Sequence, residues 1–77
     1  MNIGEAVRQR IMDLCGQRGL SVNALSNLSG VTQSTVNNIL SGRNHSTTVS
    51  TIKKLCDGLD ISISDFFDSD LVRTLDQ

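Results

Sequence analysis

Residues 30–41 read Gly-Val-Thr-Gln-Ser-Thr-Val-Asn-Asn-Ile-Leu-Ser and predict a tight turn followed by a short helix with two unlike faces. At about 100° per residue, the polar side chains of this helix share an arc of about 140°, and the apolar ones lie opposite. The polar set is Gln33, Ser34, Asn37, Asn38 and Ser41, and the apolar set is Val36, Ile39 and Leu40. The pattern predicts one face buried in a core and one face turned outward.

The outward face of this helix is polar but carries no charge. A solvated helix face more often carries Lys and Glu in i,i+4 pairs. Amides and hydroxyls both donate and accept hydrogen bonds, and Asn or Gln can bond adenine through two hydrogen bonds in the major groove. We therefore interpret the face as a candidate base-reading surface, with a solvated helix face as the alternative.

Two helices are predicted before this segment. The first covers residues 3–18, with a buried stripe at i,i+4 spacing and with Gly19 placed to end it. The second covers residues 22–29, between Ser21 as N-cap and Gly30 as the first residue after it. The inward side chains are Ile3, Val7, Ile11, Leu14 and Cys15 in the first helix and Leu25 and Leu28 in the second.

The third helix is predicted at residues 33–41 with Thr32 as its N-cap, and two more follow at 49–58 and 63–68. The inward side chains of the fourth helix are Val49, Ile52, Leu55, Cys56 and Leu59. The fold class is therefore all-α, with a compact five-helix domain over residues 1–68. Residues 69–77 form a tail that is a candidate helix extension for dimerisation, because Ile63, Phe67, Leu71 and Leu75 repeat at i,i+4 spacing.

Charge is unevenly distributed along the 77 residues, although the formal net charge is only −1. Residues 1–54 hold six Lys or Arg against two Asp or Glu, whereas residues 55–77 hold one against six. An asymmetric chain can present a mildly positive face whatever its overall balance. We expect the acidic end to point away from any phosphate backbone.

The sequence argues against an enzyme, a metal site and a membrane protein. It lacks a nucleophile–base set and a glycine-rich phosphate loop, and His45 is its single histidine. Cys15 and Cys56 lie far apart without a second pair, which predicts buried thiols rather than a zinc site. No apolar run is long enough to span a bilayer and no signal peptide is recognisable, so we expect a cytoplasmic protein without cofactors.

Helices two and three, joined by Ser29-Gly30-Val31-Thr32, have the pattern of a helix-turn-helix. Gly30 can adopt the positive φ of the sharp turn, and the small Ser26 allows a close helix crossing. Over residues 3–67 the chain resembles the phage Cro/CI-repressor-like, or xenobiotic-response-element (XRE) type, helix-turn-helix domains. Matching positions are Leu20-Ser21, Leu25-Ser26, Gly30-Val31-Thr32, Val36, Ile39, Gly42, Ile52, Leu55, Leu59, Ile61 and Phe66-Phe67.

The resemblance implies a lambda-repressor-like domain that binds operator DNA as a dimer, with the third helix in the major groove. It implies base contacts by Gln33, Ser34, Asn37 and Asn38. It implies phosphate contacts by Thr32 and Thr35, by the second-helix start at Ser21, Val22 and Asn23, and by Arg43 and Asn44. His45 is either a further phosphate contact or a plain loop residue.

The chain departs from the family pattern at positions that affect this interface. Val22 stands where many members have a Gln that contacts phosphate. Leu40 stands where many members have a Glu that pairs with an Arg of the first helix. Arg10 therefore lacks that partner, and we expect it to be free to contact a DNA phosphate.

Two functions of different classes follow. The first is a sequence-specific double-stranded DNA-binding regulator of bacterial or phage type, a repressor that acts as a homodimer by occupying its operator. We expect the dimer to be built from Ile63, Phe67, Leu71 and Leu75. The alternative is a protein-interaction module, such as an antitoxin or an adaptor, that uses the acidic 55–77 segment to dock on a protein partner.

Overall fold

A computed structural model describes residues 3–42 and 47–69, and five α-helices make up most of these residues. The helices are α1 (Ile3–Arg18), α2 (Val22–Ser29), α3 (Gln33–Leu40), α4 (Val49–Leu59) and α5 (Ile63–Phe67). The all-α class and all five predicted helices are confirmed. The observed α3, α4 and α5 each end one residue away from the predicted end.

Side-chain caps fix where four of the helices begin. Ser21, Thr32, Thr48 and Ser62 each have an extended backbone, and each side chain accepts a hydrogen bond from the backbone N–H three residues later. Such a cap satisfies one of the N–H groups that lack a partner within the helix. In α5 this cap is Ser62, whose hydroxyl accepts from the Asp65 N–H at 2.9 Å.

The core is aliphatic except for one aromatic ring. Phe66 of α5 is fully buried, and all five helices and the turn after α2 contribute to the same cluster around it. The buried members are Val7, Ile11, Leu14, Leu25, Val31, Val36, Ile39, Ile52, Leu55, Cys56, Leu59 and Phe66. This shared core holds α2 and α3 in a fixed relative orientation.

Three residues predicted to face inward are exposed instead. Ile3 and Val49 are 55 % and 71 % exposed because they begin α1 and α4, beyond the reach of the central cluster. Leu28 is 56 % exposed. The last turn of α2 meets Gly58 of α4 through its backbone, so the Leu28 side chain lies outside the contact.

An open apolar groove of about 300 Å³ lies between the starts of α1 and α4 and the end of α5. Its lining includes Ile3, Val7, Val49, Ile52 and Phe67. The two exposed aliphatic side chains at the helix starts, Ile3 and Val49, thus lie on the wall of this groove.

Candidate nucleic-acid interface

The turn between α2 and α3 is held by a compact set of hydrogen bonds. Gly30 has a φ of 75°, and its N–H donates to the Ser26 carbonyl at 3.0 Å. The Ser26 hydroxyl donates to the Val31 carbonyl at 2.5 Å, and the Ser29 hydroxyl accepts from the Val31 N–H at 3.2 Å. With the Val31 side chain buried in the core, these bonds fix the direction in which α3 leaves the turn.

The predicted two-faced character of α3 is confirmed. Val36 and Ile39 are 1 % and 2 % exposed. The side chains predicted to contact bases are all exposed, and they are Gln33, Ser34, Asn37 and Asn38. The fold therefore presents a row of uncharged donors and acceptors on one short helix, and the DNA contact itself stays a prediction.

The threonines predicted to contact phosphate form part of the cap of α3. Thr32 is exposed, and its side-chain oxygen accepts from the Thr35 N–H at 3.2 Å and donates to the Thr35 hydroxyl at 2.9 Å. The two side chains thus hold each other at the start of α3. They lie beside Gln33 at the N-terminal end of α3, which is the end predicted to contact DNA.

The start of α2 presents backbone groups rather than a long polar side chain. Ser21 caps the helix by accepting from the Ala24 N–H at 3.1 Å. The Val22 side chain is half-buried against the core, so its backbone N–H is the group that it can offer to an anion. A helix start of this kind carries partial positive charge, which suits a phosphate.

Asn23 and Gln33 connect the two helices across the exposed surface. The Gln33 Nε2 donates a hydrogen bond to the Asn23 Oδ1, and both side chains are exposed. From the sequence, Asn23 is predicted to contact a phosphate and Gln33 a base, and no bond between them is predicted. Only the spatial approach of the two helix starts reveals it.

Several predicted contact residues lie outside the described part of the chain. They are Arg43, Asn44 and His45 in the loop after α3, and Leu71 and Leu75 in the tail. Their roles stay predictions from the sequence.

The expectation that Arg10 is free to contact DNA rests on a wrong premise. Its Nε donates to the Phe66 carbonyl at 2.7 Å, and its Nη2 donates to the Asp65 carbonyl at 2.8 Å. The guanidinium binds the last carbonyls of α5, which helix geometry leaves without partners in the helix. Arg10 therefore has partners within the fold, and a phosphate contact by it would have to form beside these bonds.

Two other arginines of α1 act in the same way on different helices. The Arg8 Nη1 donates to the Leu40 carbonyl at the end of α3, at 3.3 Å. The Arg18 Nη1 donates to the Leu59 carbonyl at the end of α4. Leu40 thus contacts α1 through its backbone, at the place where the family pattern has a carboxylate side chain.

Residues 19–42, which include the whole helix-turn-helix, contain no Asp, Glu, Lys or Arg. Beyond them, Lys53 forms an exposed ion pair with Asp57 at 2.7 Å, and this hydrogen bond raises the pKa of Lys53. Any attraction of residues 19–42 for phosphate must therefore come from backbone N–H groups and from uncharged polar side chains.

The burial predicted for both cysteines is complete for Cys56 and partial for Cys15. Burial raises the pKa of both thiols above the ordinary value of 9.0, so both are protonated at neutral pH. Among residues 3–42 and 47–69, no group of three or more His, Cys, Asp or Glu side chains is arranged to hold a metal ion.

The fold is that of a helix-turn-helix domain in which α3 exposes an uncharged polar face. A family model of the Cro/C1-type HTH DNA-binding domain matches residues 10–70. The chain belongs to this family of DNA-binding domains, as its resemblance to the Cro/CI-like proteins predicted.

Two solved structures support the assignment. A transcriptional regulator of the HTH_3 family from Vibrio cholerae is 32 % identical with a TM-score of 0.80, over 88 % of this chain and 38 % of the other. Protein 11 of prophage Lp1 is 42 % identical with a TM-score of 0.79, over 90 % of this chain and 91 % of the other. No curated protein matches the chain.

The chain spans well under half of the length of the Vibrio cholerae regulator. Within the described ranges, none of the helices has the length and apolar character that crossing a membrane requires.

Proposed function

We propose that this domain binds a specific double-stranded operator with α3 in the major groove, and that it represses transcription by occupying that operator. The observation that carries the proposal is the exposed, uncharged face of α3 formed by Gln33, Ser34, Asn37 and Asn38. Amides and hydroxyls are the groups that read base edges, since they can match both donors and acceptors.

The size of α3 suits this role. Its eight residues give a length of about 12 Å at 1.5 Å per residue, which is comparable to the width of the major groove. The buried side holds the helix on the domain, while the N-terminal end projects Gln33 and Ser34 outward. In the proposed complex these two residues reach base edges first, and Asn37 and Asn38 contact the next bases along the groove.

Phosphate contacts flank the base-reading face in this proposal. The N–H groups of Val22 and Asn23 face a phosphate at the start of α2, with Ser21 beside them. Thr32 and Thr35 contact a second phosphate at the start of α3. Arg43 and Asn44 supply the contacts that follow the recognition helix.

A homodimer is part of the proposal. One short uncharged helix gives a single subunit few contacts, whereas two subunits can place two recognition helices about 34 Å apart, one turn of the duplex. Phe67 is half-buried and lines the open apolar groove beside the exposed Ile3 and Val49. We assign Ile63, Phe67, Leu71 and Leu75 to the contact with the second copy.

The experiment that tests the proposal is selection of duplexes from a random DNA library by the purified protein, at low and at physiological salt. We expect a palindromic consensus with half-sites about 10 base pairs apart. Few neutralised phosphates also predict a shallow fall of affinity with salt, since each phosphate contact adds only about 0.9 to the logarithmic slope. Binding without a consensus would overturn the proposal and favour the protein-interaction module.

Variants connect the consensus to α3. Gln33→Ala and Asn38→Ala should each weaken binding to the consensus duplex, with no change in the urea unfolding midpoint because both side chains are exposed. Asn27→Ala, at another exposed amide on α2, is the matched control. Affinity that both recognition-helix variants leave intact would refute major-groove reading by α3.

Dimerisation and repression have separate tests. Leu71→Glu combined with Leu75→Glu should shift the protein toward the monomer in sedimentation and weaken operator binding; a change in neither would refute the assigned dimer contact. A promoter reporter carrying the consensus should lose expression when the protein is present. Increased expression would show an activator instead of a repressor.

A further inference from the structure

The apolar groove at the starts of α1 and α4 is open to solvent within the described ranges, residues 3–42 and 47–69. Ile3 and Val49 on its wall are 55 % and 71 % exposed. Phe67, the last residue of α5, also belongs to its lining, so the chain leaves α5 at the groove. An apolar surface of this kind gains stability when another apolar group removes it from water.

The chain turns as it leaves α5. Asp68 has a φ of −85° and a ψ of 76°, and the Ser69 N–H donates to the Phe67 carbonyl at 3.0 Å. These angles, together with a bond between residues two apart, are those of an inverse γ-turn. The turn interrupts the helical spacing between Phe67 and Leu71, so the tail does not leave in line with α5. Ser69 is half-buried, which shows that the chain still lies against the domain after the turn.

The sequence that follows the turn is suited to the groove. Residues 71–75 read Leu-Val-Arg-Thr-Leu and supply three apolar side chains. Leu71 follows Phe67 by four residues, so an extended chain places it at most about 14 Å away. That reach is ample for a groove of about 300 Å³ whose wall includes Phe67 itself. A segment attached so close by has an effective concentration in the millimolar range, which a second copy in dilute solution does not reach.

We propose that residues 70–77 fold back into the groove of their own subunit, with Leu71 against Val49, and that this tail must leave the groove before the subunit dimerises. The second part rests on the proposed function, because the dimer contact proposed above also uses Leu71 and Leu75. The same side chains cannot fill the groove and pack against a second copy at once. The tail thereby sets the protein concentration at which the dimer forms.

Methyl NMR of the free protein tests the docked tail without DNA. At the lowest concentration that gives a spectrum, we expect NOEs between the methyl groups of Leu71 and Val49. An isotope-filtered experiment on mixed ¹³C-labelled and unlabelled copies should lack these NOEs, because it detects only contacts between subunits. Leu71→Ala should shift the Val49 methyl signals. It should leave the signals of Leu28, an exposed side chain on α2 outside the groove, unchanged.

A substitution on the groove wall tests the link to dimerisation. Val49→Ser removes apolar surface from the wall and leaves the core intact, since Val49 is 71 % exposed. It should weaken the docked tail and strengthen dimerisation about threefold to tenfold in sedimentation equilibrium, because the apparent affinity rises with the fraction of subunits whose tail is free. Leu28→Ser, a similar change at an exposed apolar residue outside the groove, should leave dimerisation unchanged.

The outcomes distinguish the inference from the proposed function. Weaker dimerisation of Val49→Ser would show that the groove binds the second copy, and unchanged dimerisation would show that the tail does not restrain it; either result overturns the inference. Missing NOEs between Leu71 and Val49, or NOEs seen only between subunits, would also overturn it while leaving operator selection intact. If the protein selects no consensus and forms no dimer, the proposed function fails, whereas the NOEs within one subunit still support the docked tail.

Discussion

At Gly58, α4 crosses the end of α2 so closely that a side chain has no room between them. A Cβ added at Gly58 would lie 2.8 Å from both the Cα and the N of Ser29, and 2.9 Å from the carbonyl carbon of Leu28. All three atoms belong to the backbone, so none can rotate away as the end of a flexible side chain could. We predict that Gly58→Ala forces α2 and α4 apart and destabilises the domain.

The size of the effect follows from two opposing contributions. Forcing an extra carbon into a packed contact costs about 1–3 kcal/mol, and rigid opposing atoms place this site at the upper end. Alanine also favours a helix interior over glycine by about 1 kcal/mol, which offsets part of the cost. The expected net loss is about 2 kcal/mol, a large part of the stability of a small domain.

Gly16→Ala is the matched control. Gly16 lies in α1, and a Cβ there would meet nothing within 4 Å. The same chemical change without the overlap should stabilise the domain by about 0.5–1 kcal/mol. The two variants should therefore differ in sign, which a general sensitivity to alanine would not produce.

Urea unfolding followed by circular dichroism measures both changes. With a slope of about 1 kcal/mol per molar urea for a small domain, the Gly58→Ala midpoint should fall by about 2 M. A Gly58→Ala midpoint at or above that of wild type would show that the helices have room for the methyl group, and the packing argument would then be refuted. Because α2 leads into the turn before α3, the folded variant should also bind operator DNA more weakly.

Three further predictions concern other parts of the fold. Arg10→Met should lower the free energy of unfolding by about 1–3 kcal/mol, because two carbonyls of α5 lose their charged donor. The affinity of the folded variant for operator DNA should not change, and a large loss of affinity would show that Arg10 contacts DNA after all. Thr32→Ala and Thr48→Ala each remove an N-cap, so each should lower the free energy of unfolding, measured in urea, by about 1 kcal/mol. Only Thr32→Ala should also weaken operator binding, and equal operator affinities for the two variants would count against a phosphate contact at Thr32. Burial raises the pKa of the Cys56 thiol, so the unfolded chain loses this proton at a lower pH than the folded protein does. The free energy of unfolding should therefore fall as the pH rises above about 9. The drop in urea midpoint between pH 8 and pH 10 should be smaller in Cys56→Ala than in wild type.

The helices could be predicted from the sequence because their boundaries are marked locally. Thr32 and Thr48 supply cap oxygens, and Gly30 supplies the left-handed residue that ends α2. Each signal acts within a few residues of the boundary that it sets, so no knowledge of the tertiary structure was needed. The outward face of α3 was predictable for the same reason, since its apolar and polar residues separate cleanly around one helix.

Contacts between helices could not be predicted in the same way. Periodicity shows which side of a helix is apolar, but it does not show how far the neighbouring helix extends along it. Ile3 and Val49 are apolar and correctly spaced, yet they lie past the end of the core. The approach of α4 to α2 at Gly58 and the bond between Asn23 and Gln33 likewise depend on where distant segments meet.

The three arginines of α1 show how this limit changes the account of DNA binding. Counting charges along the chain gives residues 1–54 an excess of positive charge, which suggests attraction to phosphate. In the structure Arg8, Arg10 and Arg18 each donate to backbone carbonyls at the end of a different helix, and Lys53 pairs with Asp57. These donors complement the partial negative charge of the helix ends and hold α3, α4 and α5 against α1. Because so much of the positive charge stabilises the fold, we expect the proposed operator complex to owe more of its affinity to hydrogen bonds from the uncharged face of α3 than to electrostatic attraction.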